Sequence, residues 1–269
     1  MGMEGISPLA LEFAEWWRRI FIFDYMRYLI AATAMTLILF VFMPWLKQRK
    51  IQKRRAKFAD RRREFLASTM TAVIFSLNGT GVYFGTEAGI FQMIHAPIPN
   101  IWIGAIEITA VLLFHDAYFY WAHRAMHHPK LYNLFHKLHH RSITPTPWAA
   151  YAFAAPEAFV EAAVMPLMLL FFPLHDFVVF LFMTFMILRN VMGHSGYEIF
   201  PRWWLDKWWL SWVNVNTHHD LHHSTFNYNY GLYFRWWDKW MGTEHPDYKT
   251  RFLDVISNEK PLAKTPATS

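Results

Sequence analysis

The chain has 269 residues, 54% of them hydrophobic and 19% aromatic, with a formal net charge of +6 and no cysteine. Without cysteine there are no disulfides, iron–sulfur clusters or thiolate zinc sites. Ten Lys or Arg against one Asp between Lys47 and Arg63 put +9 in one segment and leave −3 for the rest. The basic character is therefore local, and nucleic-acid binding is set aside in favour of a cytoplasmic loop that follows a membrane span.

In chain order, Met1 to Glu15 carries acidic residues and lacks a basic n-region before an apolar core, so no cleavable signal peptide is expected. Tyr28 to Trp45 has no charge across 18 residues, enough to cross a bilayer core of roughly 30 Å. A first span is expected over Tyr28 to Leu46, and a second over Ala67 to Phe84, interrupted by Asn78-Gly79-Thr80-Gly81. The third, Ile101 to Phe114, continues as helix through His115 to His127. Ala149 to Phe172 and Phe177 to Leu188 form a hairpin turned by Pro173-Leu174-His175-Asp176, in which Glu157 and Glu161 either face the protein interior or mark the start of the fourth span.

PRWWLDKWWLSW (Pro201 to Trp212) and FRWWDKWMG (Phe234 to Gly242) read as interfacial tryptophan anchors, and the tail Asn258 to Ser269 as disordered. The fold class is all-α: a multi-pass membrane bundle with a histidine-rich di-metal cap at one membrane face. Counting spans from the basic loop puts both histidine stretches on the cytoplasmic side.

Eleven of the fifteen histidines lie in two stretches, His123 to His140 and His194 to His223. A lone histidine is usually a surface or satisfied core residue, but here a spacing recurs. His123-x3-His127 is followed by His136-x2-His139-His140, and later by His219-x2-His222-His223. Positions i, i+3 and i+4 lie on one side of a helix, so each HxxHH group is expected to point three imidazoles at one spot. About eight candidate ligands exceed one tetrahedral site of about four, which makes two metals the economical reading. Carboxylate di-iron bundles carry Glu-x-x-His pairs, absent here. An imidazole-rich, neutral cage suits iron that activates O2, whereas zinc lacks the redox chemistry.

HRAMHH, HKLHH with the following TPW, and HHDLHHSTFNYNYGLYFRWWDKWMGT, spread over Ile101 to Thr243, resemble the fatty acid hydroxylase superfamily and within it the sterol desaturase family. FNYNYG with Trp237-Asp238 is similar to sterol C5-desaturases, and His194-Ser195-Gly196-Tyr197 to sterol C4-methyl oxidases. The resemblance implies a non-haem di-iron oxidoreductase that uses O2 and two electrons to hydroxylate or desaturate a lipid. The ligands it implies are His123, His127, His136, His139, His140, His219, His222 and His223. It adds His194 as a further ligand, Asn190 as a weak or water-mediated contact, and His115 and Asp116 as residues behind the ligands. His128 and His218 rank as spare neighbours.

No cytochrome b5 signature is visible, and GTGVYFG follows no strand, so the electrons are expected from a separate cytochrome b5-, ferredoxin- or reductase-type donor. The expected organisation is membrane helices and basic loop over 1–100, a catalytic domain over 101–245 and a polar tail over 246–269. The membrane is a bacterial inner membrane or the endoplasmic reticulum. The competing class is a non-catalytic membrane metal-binding or transport protein, which would need ligating residues along a path through the spans; the first three offer little beyond Glu107. Sterol, fatty acyl, sphingoid and carotenoid substrates all stay open.

Overall fold

The computed structural model describes residues 7–257, so the tail Asn258 to Ser269 lies outside the described residues. Four described helices are long and apolar enough to cross a membrane: α1 (Pro8–Val41), α3 (Phe58–Glu87), α4 (Ile101–Met126) and α9 (Asp176–Gly193). A single turn, α2 (Met43–Leu46), leads from α1 into the basic segment.

α1 begins well before the expected Tyr28. Ser7 caps it by accepting from Ala10 N, with Pro8 at the first position. Its early charges pair along the helix, Glu15 with Arg18 and Arg19 at 3.0 and 2.7 Å and Asp24 with Arg27. At 34 residues it is about 50 Å long, more than a bilayer core needs. It runs antiparallel to α3: Trp16 lies on Tyr83 with ring centroids 3.9 Å apart, and Tyr25 shares a hydrogen bond with Thr69.

The expected interruption at Asn78 to Gly81 does not occur, for α3 is continuous there. Thr80 returns its hydroxyl to Ser76 O at 2.8 Å, and a Cβ on Gly79 would sit 3.1 Å from Ile20 Cγ2. This glycine serves the α1–α3 crossing. α4 is capped by Asn100, which accepts from Trp102 N and Ile103 N, and carries the third span through to Met126 as expected.

The fourth expected span is not one helix. A 3-10 turn at Pro147–Tyr151 precedes α7 (Ala155–Ala162) and α8 (Val164–Phe171). Pro166 has no N–H to offer the Ala162 carbonyl, which accounts for the break. Together the two helices lead to β2 (Leu174–His175), which pairs in parallel with β1 (Met93–Ile94). The anticipated turn is thus a short strand, held further by His175 N and Nδ1 donating to the Glu107 carboxylate at 3.0 and 2.7 Å. α9 then brings the chain back to His194.

At the other end of the bundle α5 (Pro129–Phe135), α6 (Lys137–His140), α10 (Asn216–Thr225), α11 (Trp236–Trp240) and α12 (Tyr248–Ser257) form a cap. Val215, Leu221, Tyr248 and Phe252 share one buried cluster in it. The basic segment joins this cap. Gln52 donates to Ile143 O and Asp220 Oδ1 at 2.7 and 2.9 Å, and Arg63 to Arg141 O at 3.1 Å. Both histidine stretches and the basic segment therefore share one end. Trp203, Trp208, Trp209 and Trp240 are exposed, whereas Trp237 stacks on Tyr120 and Trp204 packs on Phe200.

Candidate metal centre

α4 delivers His123 in its last turn and His127 at its end. His136 occupies the joint between α5 and α6, and α6 carries His139 and His140. His194 ends α9, and α10 carries His219, His222 and His223. The nine imidazoles meet in two adjoining groups: His123, His127, His136, His140 and His222, then His139, His194, His219 and His223. Within each group the offered ligand atoms lie within 4.8 Å of one another.

This division corrects the expectation that each HxxHH points at one spot. His136 and His140 serve one group while His139 serves the other; His219 and His223 serve the second while His222 serves the first. At 100° per residue, i and i+4 nearly eclipse, but i+3 and i+4 diverge by a full residue step. The His139-His140 and His222-His223 pairs thus straddle both groups.

Hydrogen bonds fix which ring nitrogen faces inward. His123 Nδ1 donates to Tyr230 O at 2.9 Å, His194 Nδ1 to Asn190 O at 2.8 Å, and His222 Nδ1 to Tyr228 O at 2.7 Å. His136 Nδ1 donates to the Glu157 carboxylate at 2.5 Å. Each neutral ring then presents a bare Nε2 lone pair. Yet the Nε2 atoms of His123 and His136 stand 2.9 Å apart, too close for two lone pairs with nothing between them. His222 Nε2 is buried with no hydrogen-bond partner, and His194 Nε2 faces those of His219, His223 and His139 at 3.0, 3.3 and 3.4 Å. A cation in each group resolves these contacts, so the residues fit two metal ions.

Burial, and then the neighbouring imidazoles, hold His136, His139, His219, His222 and His223 well below the usual histidine range. Burial likewise brings His127 down to about 2 and His194 to about 4. The rings are neutral at pH 7, the form a metal takes.

The other expected site residues stand one layer out. The Asn190 side chain donates to Ala150 O at 2.7 Å, and it is the Asn190 carbonyl that holds His194. His115 Nδ1 is bonded to the Tyr233 hydroxyl at 2.9 Å. Asp116 accepts from Tyr233 N, Phe234 N and Trp236 Nε1, pinning the segment after α10. His218 lies against Asp238 at 3.4 Å and His128 caps α5, so neither joins a group.

Sequence reasoning did not assign the supporting roles of four residues. Glu157 was legible only as a carboxylate in an apolar stretch, without its partner. Tyr228 and Tyr230 act through their carbonyls, which side-chain identity does not reveal. Asp238 accepts from Tyr230 N and Gly231 N, both at 2.8 Å, and holds the Phe226 to Gly231 turn. In that turn Phe226 and Asn229 adopt positive φ.

Against the two groups lies a cavity. Phe119 forms part of its wall with its ring centroid 5.0 Å from that of His123, and Phe153 with its own 5.3 Å from that of His139. Phe75, Met165, Met183 and Met186 add to its apolar wall, and its polar members are Asp24, Asn78, His115, Tyr151, Glu161 and Asn190.

The sequence profile of the family described as fatty acid hydroxylase matches residues 108–243, which include every one of these histidines. The chain belongs to the fatty acid hydroxylase family. Among curated relatives, a Delta(7)-sterol 5(6)-desaturase of Gibberella zeae is 32% identical over 88% of this chain and 63% of its own length. Lathosterol oxidase of Rattus norvegicus is 36% identical over 55% and 48%. A methylsterol monooxygenase of Aspergillus fumigatus is 33% identical over 61% and 54%. The chain spans about half the length of several of these relatives. No solved structure matches it.

Proposed function

We propose that this member of the fatty acid hydroxylase family is a membrane oxidoreductase that holds two iron ions and uses O2 to hydroxylate or desaturate a sterol-like lipid. The observation that carries the reading is the pair of adjoining imidazole groups with inward Nε2 atoms beside an apolar cavity. His123, His127, His136, His140 and His222 hold one iron and His139, His194, His219 and His223 the other. The named relatives are a desaturase, an oxidase and a monooxygenase, which favours turnover over metal storage or transport.

When bound, the iron pair supplies the redox chemistry that lets O2 and two electrons remove hydrogen from an unactivated C–H bond. Hydroxylation consumes one C–H bond, O2, two electrons and two protons to give an alcohol and one water; desaturation removes two hydrogens from adjacent carbons and gives two waters. The chain's own part is placement. Glu157 and the carbonyls of Tyr228, Tyr230 and Asn190 orient four ligand rings, and Phe119 and Phe153 keep the lipid side of the centre apolar. Residues 101–245 form the catalytic portion. A separate electron-carrying protein delivers the reducing equivalents, and the basic end faces the cytoplasm.

The test compares lipid extracts of cells with and without the protein by mass spectrometry, alongside iron analysis of the purified chain. A gain of one oxygen or loss of two hydrogens on a lipid, with two irons per chain, is expected. Full occupancy at fewer than two irons overturns the reading.

A further inference from the structure

Glu157 and Glu161 stand one turn apart on α7 and so share a face. Glu157 is fully used, taking His136 Nδ1 on one oxygen and Ala154 N on the other. Glu161 has no hydrogen bond or ion pair among the described residues, and it lines the cavity with Phe75, Phe119, Phe153, Met165 and Met186. A carboxyl group among such side chains costs free energy unless something hydrogen-bonds it. Nothing among the described residues does.

Three more polar groups on this cavity share its condition. Among the described residues, His115 spends Nδ1 on the Tyr233 hydroxyl and its other ring nitrogen has no partner, and neither the Tyr151 hydroxyl nor the Asn78 side chain has one. The cavity thus fits a mostly apolar molecule that brings a hydrogen-bonding group of its own. That group is held inside the bundle, since α7 leads away from the histidine end toward β2. Along the helix axis, Glu161 is about 6 Å beyond Glu157. A bound hydroxyl here lies close to the carbon presented to the metals.

Resting on the lipid-oxidation reading above, we infer that Glu161 is a specificity-determining residue that accepts a hydrogen bond from a free hydroxyl on a sterol-like substrate. The oxidised carbon is then a few bonds from that hydroxyl. Lipids whose polar group is a bulky ester head anchored at the membrane surface are excluded.

The experiment uses the full-length, metal-loaded protein in lipid nanodiscs and a fluorescent sterol, displaced either by lathosterol or by the same skeleton lacking its 3-hydroxyl. Wild type should bind lathosterol about tenfold or more tightly than the deoxy compound. Glu161→Leu should bind the two alike, and Glu161→Gln, which keeps an acceptor oxygen, should retain most of the preference. Metal content and melting temperature report whether each variant is folded; should the leucine variant fail to fold, the wild-type preference and its persistence in Glu161→Gln decide. Equal binding by wild type, or preference undiminished in a folded Glu161→Leu, overturns the inference. Failure of wild type to bind either sterol also overturns it. Because binding needs no turnover, these outcomes are separate from those of the mass-shift and iron measurements that test the oxidoreductase reading.

Discussion

Glu157 accepts a hydrogen bond from His136 Nδ1 at 2.5 Å, with both residues buried. A carboxylate behind an imidazole fixes its tautomer and raises its basicity as a ligand. Glu157→Gln should lower metal affinity about 10- to 100-fold. Metal titration checks this, and unchanged affinity in a folded variant would remove Glu157 from the centre.

The straddling of the two groups by adjacent histidines gives a sharper test. His222→Ala should lose metal from the first group and His223→Ala from the second, each retaining about one iron per chain, while the double variant retains none. Iron analysis with Mössbauer spectroscopy distinguishes the cases. His245→Ala, outside both groups, should keep both irons.

Acid should destabilise the metal-free protein. The buried imidazoles bind protons less readily folded than unfolded, with His194 at about 4 and His127 at about 2 against an ordinary 6.5. Their contribution is intact above the unfolded value and is lost as pH falls from 6.5 toward the folded values, at about 1.4 kcal/mol per pH unit for each. Melting temperature in detergent should drop between pH 6.5 and 4, and less so with metal bound, because the metal competes with the protons. A flat profile for the metal-free form would contradict the burial argument.

Gly231 is constrained by its neighbours. A Cβ there would meet Phe234 O at 2.4 Å and Asp238 Oδ2 at 2.9 Å. Gly231→Ala should therefore displace the turn that aims the Tyr230 carbonyl at His123, costing about 1–3 kcal/mol. A lower melting temperature accompanied by reduced metal affinity is the expected pair of results.

Because the chain lacks cysteine, single cysteines report topology directly. Lys53→Cys should be protected from an impermeant thiol reagent added outside intact cells, and Gly89→Cys should react, since the two positions belong to opposite ends of the bundle. The reverse pattern would invert the orientation.

The long apolar helices were legible because uncharged runs have one cheap solution in a bilayer. The start of α1 was not, since Glu15, Arg18, Arg19, Asp24 and Arg27 read as polar until the helix pairs them. The break between α7 and α8 was readable from Pro166 but hidden by the surrounding hydrophobicity. All nine grouped histidines could be named from spacing and resemblance. Their allocation could not, because spacing along one helix says which face a ring occupies, not which other helix it meets. Asn190 was named for its side chain, and it is its backbone that touches the centre.

The His139-His140 and His222-His223 pairs act like meshed gear teeth. Deleting or inserting one residue within α6 or α10 would turn every later ring by about 100° and exchange its allegiance. Between Arg141 and Val215 the same phase matters only around Glu157 and at the end of α9, where His194 joins the second group, so length changes elsewhere in that stretch are constrained by bilayer thickness and docking. Viable family members should therefore differ in the long connection and stay in step across the two short helices.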